Sequence, residues 1–404
     1  MKLNAKHTVA TCFVGFFTQA IVINFSPLLF ITFERSYGIS LSKISVLIAV
    51  CFLTQLTMDF TASMLPARFN KRMTVVIGEL SSALGLVGFA VFPSVMPPFA
   101  GLILATVISA FGGGIIEVMG NPIIEACPIK NKNRIISLLH SGYCWGLLLT
   151  VLLSTLFFRF VGLEHWRLLA CLWAIVPAID AIAFTVVPLY PMESVPRERS
   201  NGRSVFRTFA FWAFFIIMLS AGAAEQAMSQ WASSFAETAI GSKLAGDLLG
   251  PCAFALLMGT ARLIYAKYSE KMDLTKIMWV SSAFCIAAYL IAAFTHDPII
   301  SLAGCALCGF SVGIMWPGTI CLATDKIPHG GVKMFALLAL AGDVGCTVGP
   351  AAVGWIADLI GNDIKLSFAF SAIFPALIRV FITLLTIKNK KTKHRKDIQN
   401  TGAQ

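Results

Sequence analysis

Twelve apolar runs of about 20 residues each divide this chain, and they constrain its fold more than any other feature. They fall at 9–33, 43–65, 73–92, 99–124, 134–158, 168–188, 208–236, 248–266, 276–295, 299–323, 334–360 and 366–387. In hydrocarbon every backbone N–H and C=O must be paired internally, so runs of this length are helices rather than barrel strands. The residues between them are too few to dilute the apolar content. The chain is 57% hydrophobic and 13% charged, against about a quarter charged in an average soluble domain. The expectation is an all-α integral membrane protein of twelve spans. The 11 cysteines lie almost entirely within the runs and read as small packing residues, not as a disulfide framework.

Charge sets the orientation. If the amino terminus is cytosolic, the opposite loops hold only Arg35, Lys43, Arg159, Arg167, Lys243 and Lys365 of the 31 Lys and Arg residues. Nearly all the rest lie on the cytosolic side, which places both termini there. The net charge of +11 is then a membrane-topology signal and calls for no nucleic-acid partner. The basic tail at 388–404 reads as a disordered topology determinant beside the anionic leaflet. The short basic start leads into an apolar run too long for a signal-peptide core, so that run is the first span.

Residues 190–207, rich in Pro and Arg, separate six spans from six. A weak internal repeat supports two halves, 1–189 and 208–387. Ala67–Met73, after the second span, resembles Ala266–Met272, after the eighth, and Pro122 in the fourth span answers Pro317 in the tenth.

Within the spans a few polar residues stand out. The fourth carries Gly112-Gly113-Gly114, Glu117, Gly120, Asn121 and Pro122. At 100° per residue Gly113, Gly114, Glu117, Gly120 and Asn121 share one arc, while Ile115, Met119 and Ile123 take the other side. A carboxyl at membrane depth is costly and marks a functional site by default. In the seventh span Glu225, Gln226, Gln230 and Trp231 offer a carboxyl, two stacked amides and an indole, a set that suits hydroxyls and the C–H face of a sugar. In the fifth, His140 and Tyr143 share a face; His140 reads equally as a structural residue and as a proton relay. Gln19 and Asn24 in the first span differ by 140° about the helix, and Asn24 is the better placed of the two. Trp316 beside Pro317 caps or fills a helix break. Asp343 is a second deep carboxyl, read as coupling group or as structural partner. Asp59, Arg68 and Arg262 are placed at cytosolic ends of the second and eighth spans, as ion pairs of an inner gate. Asp180 and Arg379 hold matching places in the two halves and read as structural residues that snorkel.

The Glu117–Pro122 run, Leu138–Tyr143, Ala221–Trp231 and Gly342–Pro350 together resemble the major facilitator superfamily, and within it the fucose–galactose–glucose:proton symporter branch. The resemblance covers the whole chain. It implies two six-helix pseudo-repeats and secondary transport by alternating access in a bacterial cytoplasmic membrane, by a monomer taking up a sugar with protons. On that reading substrate contacts come from Asn24, Glu117, Asn121, His140, Tyr143, Gln226, Gln230, Trp231 and Trp316. The resembled symporters also place an acid in the first span, and this chain has none before Glu34. Coupling then falls to Glu117, Glu225 or Asp343, or the protein is a uniporter. Efflux by the same fold and a non-transporting nutrient sensor are the rivals. The fifth span lacks the glycine–proline pair expected of antiporters, and the tail is short for a sensor. No spacing resembles a metal site, a nucleophile with its base or a phosphate loop, so neither an enzyme nor a cofactor is expected.

Overall fold

The computed structural model describes residues 3–64, 70–130, 132–190, 207–268, 273–327 and 331–401, and within them every regular element is helical. The first half of the chain holds α1 (Ala5–Asn24), α2 (Phe30–Tyr37), α3 (Leu41–Met64), α4 (Lys71–Val95), α5 (Pro98–Ala126), α6 (Lys132–Phe160) and α7 (Trp166–Val186). The second holds α8 (Phe209–Ile240), α9 (Lys243–Asp247), α10 (Ala253–Tyr268), α11 (Leu274–Phe294), α12 (Pro298–Val312), α13 (Met315–Lys326), α14 (Gly331–Leu359), α15 (Ile364–Ser371) and α16 (Ile373–Thr401). The linker expected over 190–207 lies almost wholly outside the described residues.

Eleven helical segments are long and apolar enough to cross a membrane, and the eighth crossing is a shorter apolar stretch, Leu249–Tyr265. Its start is a π-turn over Leu248–Cys252 that contains Pro251. A proline there removes one backbone donor and shortens the regular helix. Three other crossings are also broken. The first changes from α1 through a 3₁₀ turn at Ser26–Leu29 into α2, where Pro27 has no N–H to give. The tenth splits at Gly313–Ile314, one turn from Pro317. The twelfth splits at Ala372, just before Pro375. The tail read as disordered instead continues α16 to Thr401, since a Lys-rich run free of Gly and Pro has nothing to stop a helix.

Two close helix pairs show what holds the bundle together without a hydrophobic driving force between helices. Gly345 and Gly349 of α14 rest on the backbone of Leu219 and Ala223 in α8, where any side chain would collide. Gly85 of α4 meets Ser109 of α5 in the same way. The face of α5 bearing Ile115 and Ile123 is buried as well, packed against protein rather than lipid.

Candidate functional site

Polar side chains from both halves of the chain converge midway along the helices. On α1, Asn24 is 4% exposed. Its Nδ2 donates to the Ala20 carbonyl at 2.9 Å and to the Tyr143 hydroxyl on α6 at 3.2 Å. Gln19, the residue ranked behind Asn24 in the sequence, donates from Nε2 to Glu117 Oε2 on α5 at 2.5 Å. Both are used because α1 lies between α5 and α6, so residues 140° apart reach one neighbour each. The face of α5 picked out by its glycines does turn inward. Gly113 faces Gln55 of α3 and Val22 of α1, and Gly114 faces Met58. Gln55 is 5% exposed, and its Nε2 has no hydrogen-bond partner among the described residues. Nothing in its sequence surroundings distinguishes it.

From the other half, Glu225 Oε2 of α8 pairs with Arg262 Nη2 of α10 at 3.2 Å, with side chains 9% and 17% exposed. Arg262 also donates from Nε to the Gly313 carbonyl at 3.2 Å, a group freed by the break in the tenth crossing. The sequence placed Arg262 at a cytosolic gate; in the structure it lies in the second half of α10, and its guanidinium reaches Glu225 midway along α8 and the break in the tenth crossing. Tyr143 and Cys144 of α6 lie within electrostatic reach of Arg262, and Cys346 of α14 lies within reach of Glu225, Asp343 and Glu117. Three carboxyls, one guanidinium, a phenol and several amides therefore surround one central region between the halves.

The remaining expected residues fall into three groups. Gln230 donates to Gln226 Oε1 at 3.2 Å, both buried, one turn from Glu225. Trp316 lies over Gly342, the residue before Asp343, and its ring fills the space a side chain there would need. Asn121 Oδ1 is buried without a hydrogen-bond partner. Trp231 sits elsewhere: it is fully buried, donates to the Pro350 carbonyl at 2.9 Å and packs on Phe30 with ring centroids 5.4 Å apart. The side chains of Asp59, Arg68 and His140 lie outside the described residues.

A second polar cluster lies at the end of the bundle opposite the termini. Asp247 on α9 is wholly buried and accepts from Ser233 and from Thr155 of α6, the latter at 3.4 Å. Lys243 pairs with Asp247 at 3.1 Å and with Glu237 at 3.7 Å. Glu237 in turn pairs with Arg35 of α2 at 3.3 Å. The network thus ties α2 and α6 to α8 and α9, and Gly354 of α14 presses on Leu41 and Ser45 of α3 nearby. Sequence reasoning missed it, since no spacing links residue 35 to residues 233–247. The members differ in weight. Arg35 is 72% exposed, so Arg35→Ala is expected to cost less than about 1 kcal/mol. Asp247→Ala removes the nearer carboxylate partner of Lys243 and the acceptor of the Ser233 and Thr155 hydroxyls, and is expected to cost about 3 kcal/mol. Thermal unfolding of the two purified variants checks the contrast.

Comparison with known proteins agrees with this architecture. The family model described as Major Facilitator Superfamily matches residues 11–332 and 253–403. An uncharacterized MFS-type transporter of Bacillus subtilis, YttB, is 27% identical over 157 residues, 38% of this chain and 34% of its own length. The match thus spans about a third of that relative. Among solved structures, a bacterial homolog of the human lysosomal transporter Spinster, in an inward-facing and occupied conformation, superposes with TM-score 0.75 at 14% identity, covering 96% of this chain and 97% of its own. The nucleoside transporter NupG gives 0.75 at 12% identity, over 95% and 99%. The E. coli fucose:proton symporter FucP gives 0.63 at 14%, over 93% and 98%. At these identities the likeness shows the fold alone, while the family match spans most of the sequence. The chain belongs to the major facilitator superfamily and is a multi-pass membrane transporter, not an enzyme.

Proposed function

We propose that this transporter takes up a sugar together with protons across a bacterial cytoplasmic membrane, by alternating exposure of the central polar region to either side. The observation that carries this reading is the convergence of Gln19, Asn24, Glu117 and Tyr143 from one half with Glu225, Gln226, Arg262 and Asp343 from the other. Amides and a phenol are donors and acceptors at once, the property a polyhydroxyl solute requires. The open Asn121 oxygen and the free Gln55 amide supply further partners. Trp316 offers a ring face for the apolar side of the sugar.

Glu117 is the coupling group in this proposal, in place of the acid absent from the first span. A carboxyl that accepts from the Gln19 amide loses its charge on taking a proton and can then cross between states more cheaply. Glu225 is less suited, because Arg262 already balances it. With the termini cytosolic, the Arg35–Glu237–Lys243–Asp247 network is an outer gate, closed in this structure. Uptake into liposomes of labelled hexoses, deoxyhexoses and sugar acids, with and without an inward proton gradient, tests the reading. Gradient-driven concentration of a neutral sugar supports it. Transport of sugar acids alone would assign Arg262 the leading role in recognition, and no sugar uptake would refute it.

A further inference from the structure

Asp180, expected from the sequence to be structural and to snorkel, is enclosed by protein instead, beside Glu79, for which the sequence carried no expectation. Glu79 of α4 is 0% exposed and Asp180 of α7 is 2% exposed. They lie about 12 Å and 9 Å in from the ends of their helices at Lys71 and Val186. The two carboxyls are neighbours, with an oxygen of each beside the same point on α1. Gly15 of α1 passes directly over them: a Cβ there would stand 3.1 Å from Glu79 Oε1 and 3.5 Å from Asp180 Oδ2.

No cation balances them. Neither forms an ion pair among the described residues, and Arg72, the basic side chain nearest along α4, donates to the carbonyls of Phe184, Thr185 and Val187 at the end of α7. The other titratable groups close by are the thiols of Cys12 on α1 and of Cys127 after α5. Both Glu79 oxygens and Asp180 Oδ2 are buried without a hydrogen-bond partner among the described residues. So is Thr18 Oγ1, a fully buried hydroxyl one turn along α1 from Gly15. A carboxylate oxygen only accepts. Two carboxylates side by side, each with open acceptors, therefore lack a donor, and two like charges in hydrocarbon are the costliest arrangement available to them.

We propose that Glu79 and Asp180 bind one exchangeable proton between them, forming a second proton site apart from the central region. With the proton in place one carboxyl donates to the other, the pair carries a single charge, and the Thr18 hydroxyl completes its coordination. Loss of the proton creates two facing charges that require water, which the close seat of Gly15 excludes. The proton therefore keeps α1 seated on α4 and α7. A sodium ion is the competing occupant. The groups beside the two carboxyls, Ile116 and Cys12, add no oxygen ligand, and the response to added sodium separates the two occupants.

The test is infrared difference spectroscopy of the full-length protein in lipid, as a function of pH. Wild-type protein is expected to show a protonated carboxyl band at neutral pH that titrates away on alkalinisation. Glu79→Gln and Asp180→Asn should each remove it, while Glu79→Asp, which keeps both carboxyls, should shift its position. Glu117→Gln should leave it in place, so this site and the proposed coupling through Glu117 stand or fall separately. A band unchanged in both single-amide variants and unshifted in Glu79→Asp would overturn the proposal. So would a wild-type protein with no protonated carboxyl at neutral pH, or one whose thermal midpoint rises with sodium but not with added acid.

Discussion

Glu117→Gln is expected to abolish concentration of the substrate under a proton gradient while leaving its downhill equilibration. Gln cannot gain or lose a proton, but it has nearly the size of Glu and can still meet the Gln19 amide 2.5 Å from the present Oε2. The substitution fixes the region in a state resembling the protonated carboxyl. Uptake by reconstituted protein measures both quantities in one experiment. Accumulation at the wild-type level would remove Glu117 from the coupling mechanism and leave Asp343 and Glu225 as candidates.

Arg262→Ala is expected to cost about 3–5 kcal/mol of stability and to stop transport, because it strands the buried Glu225 carboxylate. The Gly313 carbonyl also loses its Nε donor. Replacing the whole pair separates the two effects. Arg262→Met combined with Glu225→Leu should recover most of the stability, since an apolar pair of similar volume avoids the desolvation penalty. It should not recover transport, which needs the charges. Thermal unfolding and uptake of the two variants decide this. A double variant that transports normally would make the pair a structural feature only.

The fold was legible because membrane solvation leaves so little choice: a long apolar run must be a helix. Apart from the one at Pro317, the breaks were not legible. Pro27, Pro251 and Pro317 were visible in the sequence, yet whether a proline bends a helix or divides it depends on neighbours that re-pair the freed backbone. Arg262 illustrates this, as it bonds the carbonyl that one such break exposes. The same contacts, not its position along α10, draw the Arg262 guanidinium from an expected gate toward the centre.

The candidate site was legible on single helices and poorly legible between them. Helical angle brought out Glu117 and the Gln226–Gln230 stack, and both face protein in the structure. The same angle argument set Gln19 aside, because it supposed one cavity on one side of α1 where there are two neighbours. Trp231 fitted a sugar-stacking pattern by spacing, but it is enclosed against Phe30 and Pro350. Glu79, Asp180 and the Arg35–Asp247 network join residues far apart in sequence, and only tertiary packing brings them together.

The most direct measurement is uptake of a labelled neutral hexose by wild-type protein in liposomes, with and without an inward proton gradient. Concentration of the sugar above its outside level, only when the gradient is present, is the predicted result. Equal uptake with and without the gradient, or no uptake of any sugar, would contradict proton-coupled sugar entry as the work of this transporter.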